Sequence, residues 1–447
     1  MNKGEITFSV RTFGCQMNVN DTEKVEGMFT ARGWRQVDDS TAADVVFVNT
    51  CAVRSRAEQK LYGLLDRIAW SQAGRRSSQV VAVGGCVAQL EGTRLLDRAK
   101  GVVDILVGPR SLHRLPELVE SGLHQPASAP AVALDSLGQD AFQAPVATAR
   151  SDRKRALVTA MEGCNQVCSF CVVPQTRGTE ICRDPDEIVN EVRQRVDTGA
   201  AEVVLLGQTV NAYRHGDSDF AAILARCASV PGLRRLRFAT SHPNHLTERL
   251  VVTMAEHPTI SPHLHLPVQS GSTSVLATMR RGYDRAGYQE KIALVRRLAP
   301  AVSLWSDVIV GYPGETDQDF RDTIDLIETV RFAGLFAFTY SPRPGTVAFR
   351  RQDDVPERQK RERLAEVNRH QQAIQLTDNL ARVGRRESVL VDLVGRGGRL
   401  EGRAADNRIV HCDGPASLVG SFIDVEITGA GPNALLGRRI LEGPATS

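Results

Sequence analysis

Three cysteines, Cys164, Cys168 and Cys171, lie in the segment Glu162-Gly-Cys-Asn-Gln-Val-Cys-Ser-Phe-Cys171. Thiolates this close can wrap one small inorganic group. They supply only three of the four ligands of a closed iron–sulfur cube, so one iron stays open. S-adenosylmethionine (SAM) can chelate that iron through its amino and carboxylate groups. An electron from the cluster then breaks the sulfonium bond and releases a 5′-deoxyadenosyl radical. A zinc site with a distant fourth ligand is the alternative for the same residues, although zinc favours paired knuckles and no second pair follows.

Three further cysteines, Cys15, Cys51 and Cys86, each end a predicted strand, in Phe13-Gly-Cys-Gln, Asn49-Thr-Cys-Ala and Gly84-Gly-Cys-Val. They are 36 and 35 residues apart, one strand-plus-helix unit each. In a parallel sheet the carboxyl ends of neighbouring strands share one edge, with strands about 4.8 Å apart. Small residues beside the cysteines (Gly14, Gly84, Gly85) allow close backbone approach. A second open 4Fe–4S cluster follows if the three converge; the alternative is three buried apolar cysteines. Cys182, Cys227 and Cys412 have no partners at ligand spacing and read as structural.

The elements that must hold these residues follow from periodicity. Ile6–Thr12, Asp44–Asn49, Gln79–Val83 and Val102–Val107 read as strands, with helices over Thr22–Arg32 and Arg56–Trp70. That repeat is a parallel βαβ domain, residues 1–120. Residues 121–150, rich in Ala, Pro, Ser and Gln, read as a linker. In 151–378, strands are expected at Ala156–Met161, Glu202–Leu206, Leu233–Ala239, His263–Leu266, Val302–Val310 and Leu335–Tyr340. Helices are expected at Pro185–Thr198, Phe220–Ala228, Ala286–Leu298 and Asp317–Val330. Six such units suit a partial, TIM-like α/β barrel with its site at the carboxyl ends of the strands. Residues 379–447 carry short strands between Gly-rich turns, Glu387–Val394, Leu400–Ala404, Ile409–Cys412 and Ser421–Thr428, and read as a small antiparallel β-barrel.

Composition narrows the class. The 447 residues are 42% hydrophobic and 24% charged, enough for a real core. No apolar run is long enough for a membrane span or a signal peptide, which argues for a cytoplasmic protein. In a reducing compartment nine cysteines point to metal or chemistry rather than disulfides. Net charge is +3, but residues 343–386 hold 11 Lys+Arg against 6 Asp+Glu. Taken alone, such a run reads first as a solvated helical face.

The motifs resemble the methylthiotransferase branch of the radical SAM enzymes over nearly the whole chain apart from the linker. Gly14-Cys-Gln-Met-Asn18, Asn49-Thr-Cys-Ala-Val-Arg54 and Arg56-Ala-Glu-Gln-Lys-Leu-Tyr62 are similar to the family's N-terminal domain. The radical domain is represented by Glu162 to Pro174, Leu206-Gly-Gln-Thr-Val-Asn-Ala-Tyr213, Thr240-Ser-His-Pro243, His263 to Gly271, Asp307 to Thr316 and Tyr340 to Thr346. The last segment resembles a TRAM RNA-binding domain. Two departures stand out: Gln175 where relatives commonly have Tyr, and Cys182-Arg-Asp-Pro in place of a Ser-Arg-Pro-like stretch.

The resemblance implies two 4Fe–4S clusters, an auxiliary one on Cys15, Cys51 and Cys86 and a SAM-cleaving one on Cys164, Cys168 and Cys171. It implies that Phe170 packs on the adenine of SAM, with core packing as the alternative. Gln208, Ser241 and Gln269, at strand ends, are expected to contact SAM or substrate. Arg358, Arg361, Arg363 and Arg369 are expected on RNA phosphates. Two SAM molecules would serve, one as methyl donor and one as radical source. The implied reaction places a methylthio group on carbon 2 of N6-isopentenyladenosine at position 37 of a tRNA anticodon loop. That C–H is neither acidic nor hydridic, so only a very reactive radical removes it. An electron donor such as a flavodoxin-type reductant and a monomeric, membrane-free enzyme complete the expectation. Rival readings are the same chemistry on threonylcarbamoyladenosine or on a ribosomal-protein aspartate, and a non-catalytic iron–sulfur RNA-binding protein.

Overall fold

Continuous buried apolar runs shape the first unit. In the computed structural model, which describes residues 5–52, 55–72, 79–99, 101–124, 129–134 and 154–441, Val45–Val48 and Val80–Val83 are wholly buried. Such strands suit a parallel sheet covered on both faces. The strands β1 (Thr7–Phe13), β2 (Arg35–Gln36), β3 (Val45–Thr50), β4 (Val80–Gly85), β5 (Ile105–Val107) and β6 (Ala131–Ala133) pair in parallel in the order β2-β1-β3-β4-β5-β6. Helices α1 (Gln16–Thr30), α2 (Ser55–Gln72), α3 (Cys86–Glu91), α4 (Arg94–Arg98) and α5 (Leu115–His124) flank them. One core gathers Val46, Val48, Val81 and Val83 with Leu61, Leu65 and Ile68; the other gathers Phe8, Phe47 and Val80 with Phe29 and Trp34.

Two expectations change here. Helix α1 starts at Gln16, six residues before Thr22, because its polar first turns are buried rather than solvated: Asn18, Asn20 and Asp21 are all buried. Within the expected linker, residues 121–124 and 129–134 are not plain linker, since α5 runs to His124 and Ala131–Ala133 pairs with β5. The rest of the expected linker lies outside the described residues.

The second unit is an open barrel. Strands β7 (Arg155–Thr159), β8 (Met161–Glu162), β9 (Ile181–Cys182), β10 (Glu202–Leu206), β11 (Arg214–His215), β12 (Ser218–Asp219), β13 (Arg235–Ala239), β14 (His263–His265), β15 (Ser303–Val310) and β16 (Gly334–Thr339) are joined by α6 (Val173–Arg177), α7 (Pro185–Asp197), α8 (Phe220–Ala228), α9 (Glu248–Glu256), α10 (Thr273–Thr278), α11 (Arg285–Leu298) and α12 (Asp317–Val330). The parallel trios β7-β10-β13 and β14-β15-β16 meet through one bridge, Leu236 to Ile260, leaving β7 and β16 as edges. Alternation sorts the faces. Val158, Val203, Leu205, Leu236 and Phe238 pack into the large core with Ile188, Ile223 and Leu250 of the helices. Leu157, Val204, Leu206 and Ala239 turn the other way and receive Met17 and Val19 of α1. The first unit therefore docks inside the second unit's curve. Asn20 secures the contact: it donates to the Leu157 carbonyl at 3.1 Å and accepts from Thr159 Oγ1 at 2.8 Å.

A long helix, α13 (Glu357–Leu380), leads to a closed barrel of β17 (Arg386–Val394), β18 (Leu400–Arg403), β19 (Ile409–Cys412), β20 (Phe422–Ala430) and β21 (Leu435–Arg439). The barrel is not purely antiparallel: β19 and β21 run parallel, which lets a fifth strand close the cylinder. Its loop at 404–408 seats on the amino ends of the open barrel's strands. Arg237 donates to the Ala404 carbonyl at 2.8 Å, Arg235 to the Ser388 carbonyl at 2.9 Å, and Ser303 to Asp406 at 2.9 Å. Among the described residues no helix is long and apolar enough to cross a membrane.

Candidate active site

The loop that carries Cys164, Cys168 and Cys171 leaves β8 through Gly163, whose φ of +80° and contact with the Thr179 carbonyl exclude any side chain. Gln208, just past β10, accepts the Gly163 amide on Oε1 at 2.5 Å. Donors then surround the sulfurs. Cys164 Sγ lies 3.2 Å from Thr209 Oγ1 and accepts the Gln166 amide at 3.4 Å. Arg281 Nη1 donates to Cys168 Sγ at 3.1 Å, and the Val173 amide to Cys171 Sγ at 3.4 Å. Burial, helped by the neighbouring thiols, pushes the Cys171 thiol up to about 12, and burial is the main cause that raises Cys164 as well. Three sulfurs held in one loop and ringed by N–H and hydroxyl groups fit a cationic iron group that would bind them as thiolates.

Ser169, between two of these cysteines, fixes the loop from both sides. Its amide donates to the Met279 carbonyl at 3.0 Å, its carbonyl accepts the Ala348 amide at 2.7 Å, and its hydroxyl lies 2.8 Å from Tyr312 Oη.

The dispersed trio is assembled by strand register. Phe13, Thr50 and Gly85 are consecutive partners across β1, β3 and β4, so the chain turns at one edge and Cys15, Cys51 and Cys86 follow. The Cys51 amide donates to the Phe13 carbonyl at 2.9 Å, and a side chain at Gly14 would crowd Cys51 Cβ. Cys15 caps α1, with Sγ 3.3 Å from Asn18 Oδ1, and Asn18 in turn donates to Asn49 at 3.0 Å. A hydrogen bond with Cys51 is the largest influence on Cys15, whose pKa falls to about 6 despite burial. Burial raises Cys86, with Arg177 beside it as the counterweight. Among the described residues no three His, Cys, Asp or Glu side chains close around a single ion. The thiolates of an iron–sulfur cube each bind a different iron, so such a group does not need three ligands closed on one ion.

One cysteine of each set, Cys15 and Cys164, lies toward the same wall of the open barrel. Cys15 packs with Leu157, Leu206 and Ala239 of the open barrel's inner wall, and Gln208 and Thr209 continue β10 toward Cys164. Arg177, on the helix after the radical loop, is 2% exposed and reaches Asp21 of α1 at 2.5 Å. Lys24 completes this buried charge group, 3.6 Å from Glu162.

The remaining expected residues divide. Phe170 is partly buried and packs beside Tyr312, Tyr340, Val275 and Met279. Gln208 positions the loop. Ser241 is buried, with its hydroxyl unpartnered by protein. Gln269 has φ +76° and links β15 through its backbone, donating to Asp307 and accepting from Ile309, both at 2.9 Å. On α13, Arg361 and Arg369 are exposed, and Arg358 donates to Glu362 at 2.8 Å. Arg363 is a correction: it is buried, 2.7 Å from Asp317 and 3.3 Å from Glu315, and so is withdrawn from any phosphate. Thr209, Arg177 and Arg281 escaped the sequence reading. Arg281 lies 113 residues from the cysteine it contacts and carried no local signal.

Comparison with known proteins agrees with this layout. Residues 7–108 match the model described as Uncharacterized protein family UPF0004, and residues 158–327 match the Radical SAM superfamily. A tRNA-2-methylthio-N(6)-dimethylallyladenosine synthase from Geobacter sulfurreducens is 44% identical over 97% of each chain. One from Solibacter usitatus is 41% identical over 96% of this chain and 97% of its own. Among solved structures, the radical SAM methyltransferase TsrM from Kitasatospora setae aligns with a TM-score of 0.57 at 12% identity, over 77% of this chain and 74% of its own. At that identity the likeness concerns the fold alone.

Proposed function

We propose, from the premise that this chain belongs to the tRNA-2-methylthio-N(6)-dimethylallyladenosine synthase family of radical SAM enzymes, that it methylthiolates N6-isopentenyladenosine at position 37 of tRNA. It is a transferase, and its family implies a 4Fe–4S cluster and SAM. Our reading adds a second cluster on Cys15, Cys51 and Cys86 and a second SAM as methyl donor. Together these groups would supply a carbon radical and an activated sulfur, the two reagents an unactivated aromatic C–H demands.

The chain's own residues hold and shield. Arg281, Thr209 and the Val173 amide donate to the radical-loop sulfurs, which stabilises them as thiolates. Gln208 and Ser169 keep that loop in one conformation. Ser241 offers an unpartnered hydroxyl to a polar group of SAM or substrate. Arg361 and Arg369 remain candidates for phosphate contact. The target base would have to leave its stack to reach the space between the trios. Cytoplasmic action as a monomer with a flavodoxin-type reductant belongs to the same reading.

The observation that carries the proposal is Cys15 lying on the inner wall of the barrel that carries Cys164. Anaerobic reconstitution with iron counting tests the clusters. About eight irons are expected in the intact chain and about four in Cys15→Ala or Cys168→Ala; equal counts in all three would reject two clusters. Mass spectrometry of tRNA nucleosides from a deletion strain tests the substrate. Loss of the 2-methylthio isopentenyl nucleoside is expected, and loss of a methylthio threonylcarbamoyl nucleoside instead would reject it.

A further inference from the structure

The geometry points to the arch formed by residues 341–351, together with edge strand β16, as the surface that grips single-stranded RNA; this inference rests on the tRNA reading above. Among the described residues β16 is an edge strand of the open barrel, and its alternation is unusual. Leu335 and Ala337 face the core, while Phe336 and Phe338 face the other way at 50% and 47% exposure. The chain then enters the arch, where Phe349 is 48% exposed and Arg350 and Arg351 are exposed beside it.

The arch is not a loose loop. The Ala348 amide donates to the Ser169 carbonyl at 2.7 Å, Gln175 Nε2 to the Gly345 carbonyl at 2.8 Å, and Thr346 Oγ1 to the Arg343 carbonyl at 2.7 Å. Arg343 also approaches Glu58 of α2 at 3.9 Å. One end is thus pinned to the loop bearing Cys168 and Cys171, and the other points to the unit bearing Cys51.

Charge and ring faces select the partner. The acidic residues that follow the arginines are engaged elsewhere: Asp353 with Lys360 at 2.6 Å and Asp354 with the Gly314 amide at 2.7 Å. The arch therefore presents positive charge. Rigid aromatic faces left in water gain most from a flat partner. Phosphates flanking unstacked bases satisfy both, the usual chemistry of single-strand recognition. An acidic electron-transfer protein would satisfy the arginines and leave the rings unmatched.

The test uses reconstituted holoenzyme and a labelled anticodon stem-loop carrying the prenylated adenosine, with anisotropy read across a salt series. R350Q/R351Q should bind at least about tenfold more weakly, with the log–log salt slope reduced by about 1.4, or ~0.7 per single-strand phosphate. Phe349→Ala should weaken binding about five- to tenfold with the slope unchanged. R193Q/R321Q, which removes two exposed arginines from α7 and α12, should bind like wild type. Iron content and circular dichroism report that each variant is folded and loaded. Wild-type affinity in R350Q/R351Q overturns the proposal, as does a larger loss in R361Q/R369Q on α13. So does intact RNA binding with slowed reduction by a flavodoxin-type protein and normal reduction by dithionite, which would assign the surface to the electron donor. Wild type that binds no RNA overturns the tRNA reading itself.

Discussion

Arg177 donates to Asp21 at 2.5 Å across the boundary between the two large units, with both side chains almost wholly buried. One residue belongs to the helix that leaves the radical loop, the other to the helix that Cys15 caps. The pair therefore adds one charge-assisted bond to the contacts that hold the two cysteine-bearing units together.

Asp21→Asn should leave the Arg177 guanidinium buried without its counter-charge, at a cost of about 3–5 kcal/mol. Increased hydrogen exchange at the amides of α1 and α6, with each isolated cysteine loop still able to take up iron, is the expected result. Unchanged exchange at both helices would show that the pair does not hold the units together.

Glu202 is fully buried and faces three arginines, Arg155, Arg235 (3.3 Å) and Arg237 (3.2 Å), all of which continue to the C-terminal barrel. Burial pulls Arg237 down to about 10, and Glu202 is the main force opposing that. Glu202→Gln should cost several kcal/mol, about 3–5 for one removed partner, and should loosen the barrel first. Limited proteolysis that releases a fragment starting near residue 381 is the readout.

Burial, Arg281 and His245 hold the pKa of His242 down at about 3. The folded chain then refuses a proton that the unfolded chain accepts below its ordinary value near 6.5. Neutral His242 contributes its full stability above that pH, and the contribution is lost as pH falls toward 3. The loss is about 5 kcal/mol over the window. His242→Gln should flatten this acid limb in a pH series of denaturation midpoints; an unchanged limb would count against the assignment.

Asp319 joins two helix starts: it accepts from Ser272 at 2.5 Å, Ser274 at 2.6 Å and the Thr316 hydroxyl at 2.7 Å. Burial works against its charge, yet these donors hold its pKa down to about 2. Its contribution is complete above pH 4 and fades as pH falls toward 2. Solvent screening at this half-open site limits that contribution to roughly 1 kcal/mol. Asp319→Ala should lower the thermal midpoint of the open barrel and speed amide exchange in the first turns of α10 and α12.

Much of this architecture was legible along the chain. The strands at Glu202–Leu206 and Ile409–Cys412 and the helices at Phe220–Ala228 and Asp317–Val330 appear at their expected bounds, because apolar periodicity and N-terminal caps are local signals. Other elements were hidden. The start of α1 reads as polar loop because Asn20 and Asp21 find partners, Thr159 and Arg177, more than 130 residues away. Ala131–Ala133 and Leu435–Arg439 became strands through pairing with a neighbour, not through a pattern of their own.

The cysteine spacings, the alternation of strand and helix and the short turn-rich tail were set by residue order, since each depends on neighbours within a few turns of chain. Where the pieces meet was set by contacts between distant segments. The fold put Cys15 on the second unit's wall, gave Arg363 to Glu315 and Asp317, and seated the small barrel at the amino ends of the strands. Periodicity records which face of an element is apolar, but not which other face will cover it. Burial and pairing of charges across such faces become definite only once the chain has closed on itself.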